Sequence, residues 1–560
     1  MAIRLGEILL EKKLITKEQL ETALKEREKT GEFLGQILIR MGAISEAELA
    51  KALSQQMGLA YVNLKELKID DAVIRRVPAK FVWHYKIMPV KLEGNLLTIA
   101  VSNPFDMWPL DDIEVNLSFR VERVLSTPSE IAQAIKRYYG VGAETIEGIL
   151  ERAPRASYDL TLKEKTEDIE KMAEDASVIK LVNQILQQAI KDEATDIHIE
   201  PFRGELILRS RIDGILYDTA VSDDIKYLYP SIVSRIKIMA GLDIVERRLP
   251  QDGGARVKVG KDEYDLRVSL LPSVHGENVV IRILPTRMLF SLEKLGLIAD
   301  DLKKMEDLIN RPHGIIFLTG PTGSGKTTTL YAALNKLNAP ARKIITIEDP
   351  VEYELRMITQ IQINPKIELT FARALRSMLR HDPDVMMVGE VRDLETAEIA
   401  IQAALTGHLV FSTLHTNDAA SAATRLLDMG LEPYLVASSV EAFIAQRLVR
   451  VICESCKESY QPSAISHQQL KAEDGKLKAY KGKGCEKCKH TGYKGRTAIY
   501  EILMLNEPIR ELIMKKASSE EIKKKAVSLG MRTLKDDGLE KIKAGITTVD
   551  EVMRVTQISE

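Results

Sequence analysis

Residues 320–327 read Gly-Pro-Thr-Gly-Ser-Gly-Lys-Thr, and the residues just before them, Ile315-Ile316-Phe317-Leu318, form an unbroken apolar run. The apolar run predicts a strand, and a helical pattern starts near Lys326. Strand, glycine-rich turn and helix in that order make an anion cradle. The turn curls so that backbone N–H groups converge on phosphate oxygens at the positive end of the helix. Gly320, Gly323 and Gly325 permit the curl, with Pro321, Thr322, Ser324 and Thr328 completing the loop and the first helical turn. Lys326 is placed to reach the β- and γ-phosphates of a nucleoside triphosphate, and the Thr327 hydroxyl to hold Mg²⁺. A glycine turn matching by accident is the competing reading, and it leaves the flanking strand and helix unexplained.

A phosphate loop of this kind commits its surroundings to a parallel sheet with crossover helices. After Gly296 the sequence alternates helical patterns with short apolar runs, and strands are predicted at 314–319, 343–347, 385–388 and 409–412. Two acidic groups follow such runs: Glu348-Asp349-Pro350-Val351-Glu352 and Gly389-Glu390-Val391-Arg392-Asp393. In open α/β sheets ligands bind beyond the carboxyl ends of strands, so both groups are expected to face the phosphate loop. A carboxylate after a strand is also ordinary helix-cap chemistry, and the order of both groups after the loop favours function. His408 and His415 flank the run 409–412; each is equally a hydrogen-bonded core residue or a sensor of the γ-phosphate.

All four cysteines fall into two pairs, Cys453-x-x-Cys456 and Cys485-x-x-Cys488, with 28 residues between the pairs. Four thiolates so arranged can enclose a structural Zn²⁺ with no open position for catalysis. His490 is a possible extra ligand. Unrelated reduced cysteines, or a redox pair, would not explain why no cysteine lies elsewhere.

Near the N-terminus, Arg4-Leu5-Gly6-Glu7-Ile8-Leu9-Leu10 repeats as Phe33-Leu34-Gly35-Gln36-Ile37-Leu38-Ile39, an offset of 29 residues. The same offset relates Ile15 to Ile44, Leu20 to Leu49 and Ala23 to Ala52. Thr16 with Gln19, and Ser45 with Glu48, have the spacing of capping boxes. Each repeat reads as two short helices, and the two copies bury one shared apolar face over residues 1–64. A small α/β domain is expected over 65–140, with strands at 85–92 and 96–101 and a closing helix at 127–139. Residues 141–175 are charge-rich and read as a solvated linker. A small α+β domain is expected next, with a helix at 178–191 and strands at 196–200, 205–212, 263–269 and 278–284. Helices rich in Lys and Glu are expected from Pro508 onward.

At 560 residues the chain requires three or four domains. Its net charge of −2, from 79 basic and 81 acidic residues, gives no global attraction to nucleic acid or anionic membranes. No apolar run approaches the roughly 18–20 residues of a spanning helix. The start, Met1-Ala2-Ile3-Arg4-Leu5-Gly6, lacks the regions of a secretory signal. A cytoplasmic location is expected, with any membrane role exerted through partners.

These motifs, together with Ser177-Val178-Ile179-Lys180-Leu181-Val182-Asn183, Asp196-Ile197-His198-Ile199-Glu200-Pro201 and Gly492-Tyr493-Lys494-Gly495-Arg496, resemble the secretion ATPases of type II secretion and type IV pilus assembly. The resemblance implies a RecA-like ATPase domain over 289–560 containing a zinc subdomain at 450–497, preceded by a PAS-like α+β domain over 176–288. It also implies a homohexameric ring that couples ATP hydrolysis to polymerising pilin-like subunits. An inner-membrane platform protein and a membrane-bound adaptor are the implied partners, and no nucleic acid is expected. Residues 346–352 match the family's aspartate box, so Glu352 is implied to position or activate the attacking water. Glu390 matches the second Walker motif near Mg²⁺, His408 and His415 match the histidine box, and Arg267 and Arg282 match arginines that approach the triphosphate. The N-terminal repeat is similar to a module that binds cyclic di-GMP, which points to Arg4, Leu5, Gly6, Leu34, Gly35 and Gln56. It departs from that pattern at Lys13, Arg27 and Phe33; a helical adaptor for a membrane-bound partner is the alternative. A nucleic-acid motor and a nucleotide-gated scaffold are the competing functions. A retraction motor of the same family would typically lack both the N-terminal region and the four cysteines. The stretch His275-Gly276-Glu277 leans towards secretion rather than pilus assembly.

Overall fold

The computed structural model describes residues 5–106, 108–152, 173–286, 291–461 and 479–556. The chain divides into two units, Met1–Leu284 and Pro285–Glu560.

The first unit begins with helices Leu5–Glu11, Lys17–Thr30, Leu34–Arg40 and Glu46–Met57. Thr16 and Ser45 cap the second and fourth, each through a reciprocal capping box with Gln19 and Glu48. The repeat persists into the packing. Among the fully buried residues, Ile8, Leu9, Ile15 and Ala23 of one copy meet Ile37, Leu38, Ile44 and Ala52 of the other. A Cβ on Gly6 would stand 3.0 Å from Leu20, and one on Gly35 would stand 2.6 Å from Leu49, so glycine sets the same close helix approach twice.

Strands Met88–Glu93, Leu96–Val101 and Arg120–Leu125 then form a three-stranded sheet, the last two parallel and joined by helix Trp108–Leu117. Helix Pro128–Tyr139 closes it, capped by Thr127. Tyr85, expected to start a strand, instead ends helix Ala79–Tyr85.

The linker expected over 141–175 is corrected over its first part. Ala143–Arg152 is a helix, and Ile146 and Ile149 are buried in the core of the following α+β layer. Apolar residues three apart among glutamates supply just enough of a face to pack. Residues 153–172 lie outside the described residues.

That layer is a six-stranded sheet in the order Ile215–Asp218, Glu205–Ile212, Ala194–Phe202, Gly276–Pro285, Asp262–Ser273, Gln251–Val259. Helices Ala176–Lys191 and Tyr229–Ala240 pack against it through Val178, Leu181, Ile232 and Ile236. The edge strands Ile215–Asp218 and Gln251–Val259 were not expected.

The second unit is built on a seven-stranded sheet. Its order is Thr359–Gln362, Ile344–Glu348, Val385–Val388, Leu409–Leu414, Gly314–Thr319, Val440–Ile452, Tyr493–Met504. The first six run parallel and the last antiparallel. Strand Gly314–Thr319 is buried along its whole length, as its unbroken apolar sequence requires. The long hairpin Val440–Ile452 and Tyr493–Met504 was not expected, and it carries the cysteines at its far end. Helices Glu507–Met514, Ser519–Ser528, Leu534–Lys543 and Val549–Thr556 complete the unit. Among the described residues no helix is long and apolar enough to cross a membrane.

Candidate nucleotide site and cysteine cluster

The parallel strands of the second unit end on one edge of the sheet, and the phosphate loop leaves from its interior strand there. Gly320 and Gly325 have φ of +149° and +88°, and a Cβ on either would lie within 2.8 Å of Gln446. Only glycine fits both the conformation and the space. Helix Lys326–Leu337 starts at Gly325. Pro321, Thr322, Gly323 and Thr327 lie exposed on the rim, Thr328 is half-buried, and Ser324 and Lys326 are buried.

The Lys326 ammonium donates to Gly320 O at 2.6 Å and Pro321 O at 3.1 Å. Burial lowers its pKa to about 8; the Arg447 guanidinium adds to the effect and Glu390 opposes it. Arg447, itself 6% exposed, donates to Asn417 O at 2.8 Å and to Gln446 O. Two buried cations thus converge on one loop, and the buried Ser324 Oγ has no hydrogen-bond partner among the described residues. Buried cations and an orphaned hydroxyl beside converging amides fit a polyphosphate, which would satisfy all of them.

Of the residues singled out from sequence, Glu390 and His415 meet beside this loop. His415 Nε2 lies 3.3 Å from Glu390 Oε2, and Arg392 bridges to Glu390 Oε1 at 2.7 Å. The acidic group after Ile347 divides. Glu348 is buried, accepting from Tyr331, from Thr346 Oγ1 at 2.6 Å and from Gln360 Nε2 at 3.1 Å. Burial pushes its carboxyl pKa up. Glu352 is half-buried, and its amide donates to Tyr331 Oη at 3.3 Å.

His408 is not brought to the loop. It immediately precedes strand Leu409–Leu414, in register with Gly314 at the start of the phosphate-loop strand, so a strand length separates it from Gly320. Its Nδ1 bonds Ala403 O at 3.0 Å, closing the end of helix Leu394–Leu405. Arg267 and Arg282 belong to the first unit. Arg267 is half-buried on strand Asp262–Ser273, and Arg282 pairs with Asp196 at 2.9 Å.

Tyr331, Gln360 and Arg447 went unread in the sequence. Arg447 lies on strand Val440–Ile452, which also carries Glu441 and Arg450, so its charge alone does not single it out. Tyr331 gave no signal, because an aromatic residue on the buried face of a helix reads as core.

The four cysteine sulfurs lie within 4.8 Å of one another, with Cys453–Cys485 and Cys485–Cys488 at 3.7 Å and Cys456–Cys488 at 3.8 Å. A tetrahedron with arms of about 2.3 Å has edges of about 3.8 Å, so the donor set fits zinc. Cys485 N and Gly492 N point at Cys488 Sγ, as thiolate ligation favours. His490 is exposed and is not one of the clustered ligands.

In the first unit a cavity of about 1040 Å³ is lined by Leu5, Gly6, Leu34, Gly35 and Gln56, together with Arg27, Phe33 and Phe105. Arg4 lies outside the described residues.

Residues 171–554 match the family model described as type II/IV secretion system protein, and residues 57–145 match the MshEN domain. The chain is 43% identical to the type IV pilus assembly ATPase PilB of Myxococcus xanthus, over 99% of each chain. It is 42% identical to type II secretion system protein E of Xanthomonas campestris pv. campestris, over 99% of this chain and 98% of that one. The chain belongs to the type II/IV secretion ATPase family. In fold it is similar to the ATPase DotB of Legionella pneumophila, with a TM-score of 0.51, 22% identity, and coverage of 67% of this chain and 95% of that one. Family membership makes it an ATPase, and ATP is the polyphosphate that the loop of this secretion ATPase fits.

Proposed function

We propose that this ATPase powers the assembly of a pilus or pseudopilus, acting as a cytoplasmic homohexamer on an inner-membrane platform protein through a membrane-bound adaptor. The observation that carries the reading is the phosphate loop with Lys326, Glu390 and His415 around it, in a chain alike over its whole length to pilus-assembly and type II secretion ATPases.

Backbone amides of 320–327 and Lys326 bind the β- and γ-phosphates, and Thr327 with Glu390 holds Mg²⁺, which neutralises charge on the phosphoryl oxygens. His415, beside Glu390, senses the γ-phosphate. Glu352 orients the attacking water and accepts its proton. Cys453, Cys456, Cys485 and Cys488 hold a structural zinc. The N-terminal cavity takes cyclic di-GMP, with Phe33 and Phe105 offering faces for its bases and Arg27 a cation for its phosphates.

The test is genetic. Replacing the chromosomal copy with Lys326→Ala is expected to abolish surface pili or the export of a secreted protein while leaving protein levels unchanged. A strain that keeps both pili and secretion at wild-type levels contradicts the reading.

A further inference from the structure

Glu348 sits at the end of a parallel strand, 3% exposed, where an apolar residue would pack without a desolvation cost. Its carboxylate is instead held by three donors: Tyr331, Thr346 and Gln360. A buried carboxylate kept by so many partners invites the question of what the network fixes.

The partners give the answer. Tyr331 lies five residues beyond Lys326, on the helix that begins at the phosphate loop. Its oxygen donates to Glu348 and accepts from the Glu352 amide at 3.3 Å. Gln360 spans the following turn, donating to Tyr353 O at 2.9 Å and accepting from Leu355 N at 2.6 Å. Gln362 accepts from Val351 N at 3.3 Å. Three amides of the segment 351–355 are therefore fixed by side chains. Two of those side chains come from strand Thr359–Gln362, and one comes from the phosphate-loop helix.

We propose that Tyr331 is a positioning residue for ATP hydrolysis: its phenol ties the Glu352 backbone to the phosphate-loop helix, and Glu348 anchors the phenol. The inference rests on the reading of Glu352 as the residue that orients water. A carboxylate that must meet a water in line with the γ-phosphate needs its backbone fixed to the element that holds the phosphate, because small misplacements cost large factors in rate.

The Tyr331 ring is fully buried and packs edge-on to Tyr353, so Tyr331→Phe keeps the packing and removes one oxygen. ATPase kinetics on the full-length protein should show kcat reduced about tenfold or more with KM for ATP within about twofold, the mark of an interaction felt in the transition state. Tyr331→Phe in a Glu352→Gln background should change kcat less than about twofold, because the residue it positions is already disabled. Glu348→Leu, which keeps the volume and removes the anchor, should give the same kinetic split if thermal unfolding shows it folded. Wild-type kcat in a folded Tyr331→Phe protein, or an equal loss in both backgrounds, overturns the proposal alone. A Glu352→Gln protein at the wild-type rate overturns the reading of Glu352 on which it depends.

Discussion

At single residues, charge and backbone conformation decide the site. The phosphate loop was legible because positive φ and the close approach of Gln446 leave no residue but glycine at 320 and 325. Glu390 was legible from its place after an apolar strand. Arg447 was missed because nothing in a sequence marks which strand lies beside the phosphate-loop strand, and only the pairing with Val440–Ile452 brings it under the loop. As one of two buried cations there, it should matter for binding. Arg447→Gln is expected to weaken ATP affinity about tenfold, roughly 1.4 kcal/mol, by calorimetry. An unchanged Kd would mean that Arg447 only braces Asn417. His408 failed for a simpler reason: a residue preceding a parallel strand stands at the edge opposite a loop that follows one.

Among elements, glycine packing and buried ion pairs set local stability. The N-terminal repeat was readable down to its packing, because each copy demands the same partner at the same offset. Gly35→Ala drives a methyl to 2.6 Å from Leu49 and should cost about 1–3 kcal/mol, read as a lower first transition in thermal unfolding. The helix Ala143–Arg152 was hidden because its apolar face is only two or three residues wide among glutamates. Glu551, on the helix Val549–Thr556, is bound by Arg450 at 2.6 Å and Arg554 at 2.9 Å. Burial raises its carboxyl pKa, but the bonds from Arg554 and Arg450 outweigh that and hold it at about 2, below the usual carboxylate range. A depressed carboxyl pKa stabilises the fold above the unfolded value and loses that contribution as pH falls from about 4.5 towards 2. Glu551→Gln should therefore lower the melting temperature at pH 7, by an amount that shrinks over that window. A pH-independent difference would show that the charge is not the source.

The whole molecule joins a phosphate-loop sheet to a cysteine-bearing hairpin and, in the other unit, to a helical repeat with a cavity. Purified protein should carry about one zinc per chain, and chelation should lower thermal stability without disulfide formation. A protein free of metal and equally stable would make the cysteines a packing cluster. The near-neutral charge gives no global attraction to nucleic acid, and the chain is alike over its whole length to pilus-assembly and type II secretion ATPases. The most direct measurement is phosphate release from ATP by the full-length protein, with and without DNA, beside Glu352→Gln. A protein-driving ATPase is expected to show turnover indifferent to DNA and reduced about 100-fold or more in Glu352→Gln, which still binds ATP. Equal rates in the two proteins, or hydrolysis that depends on DNA, would contradict this reading.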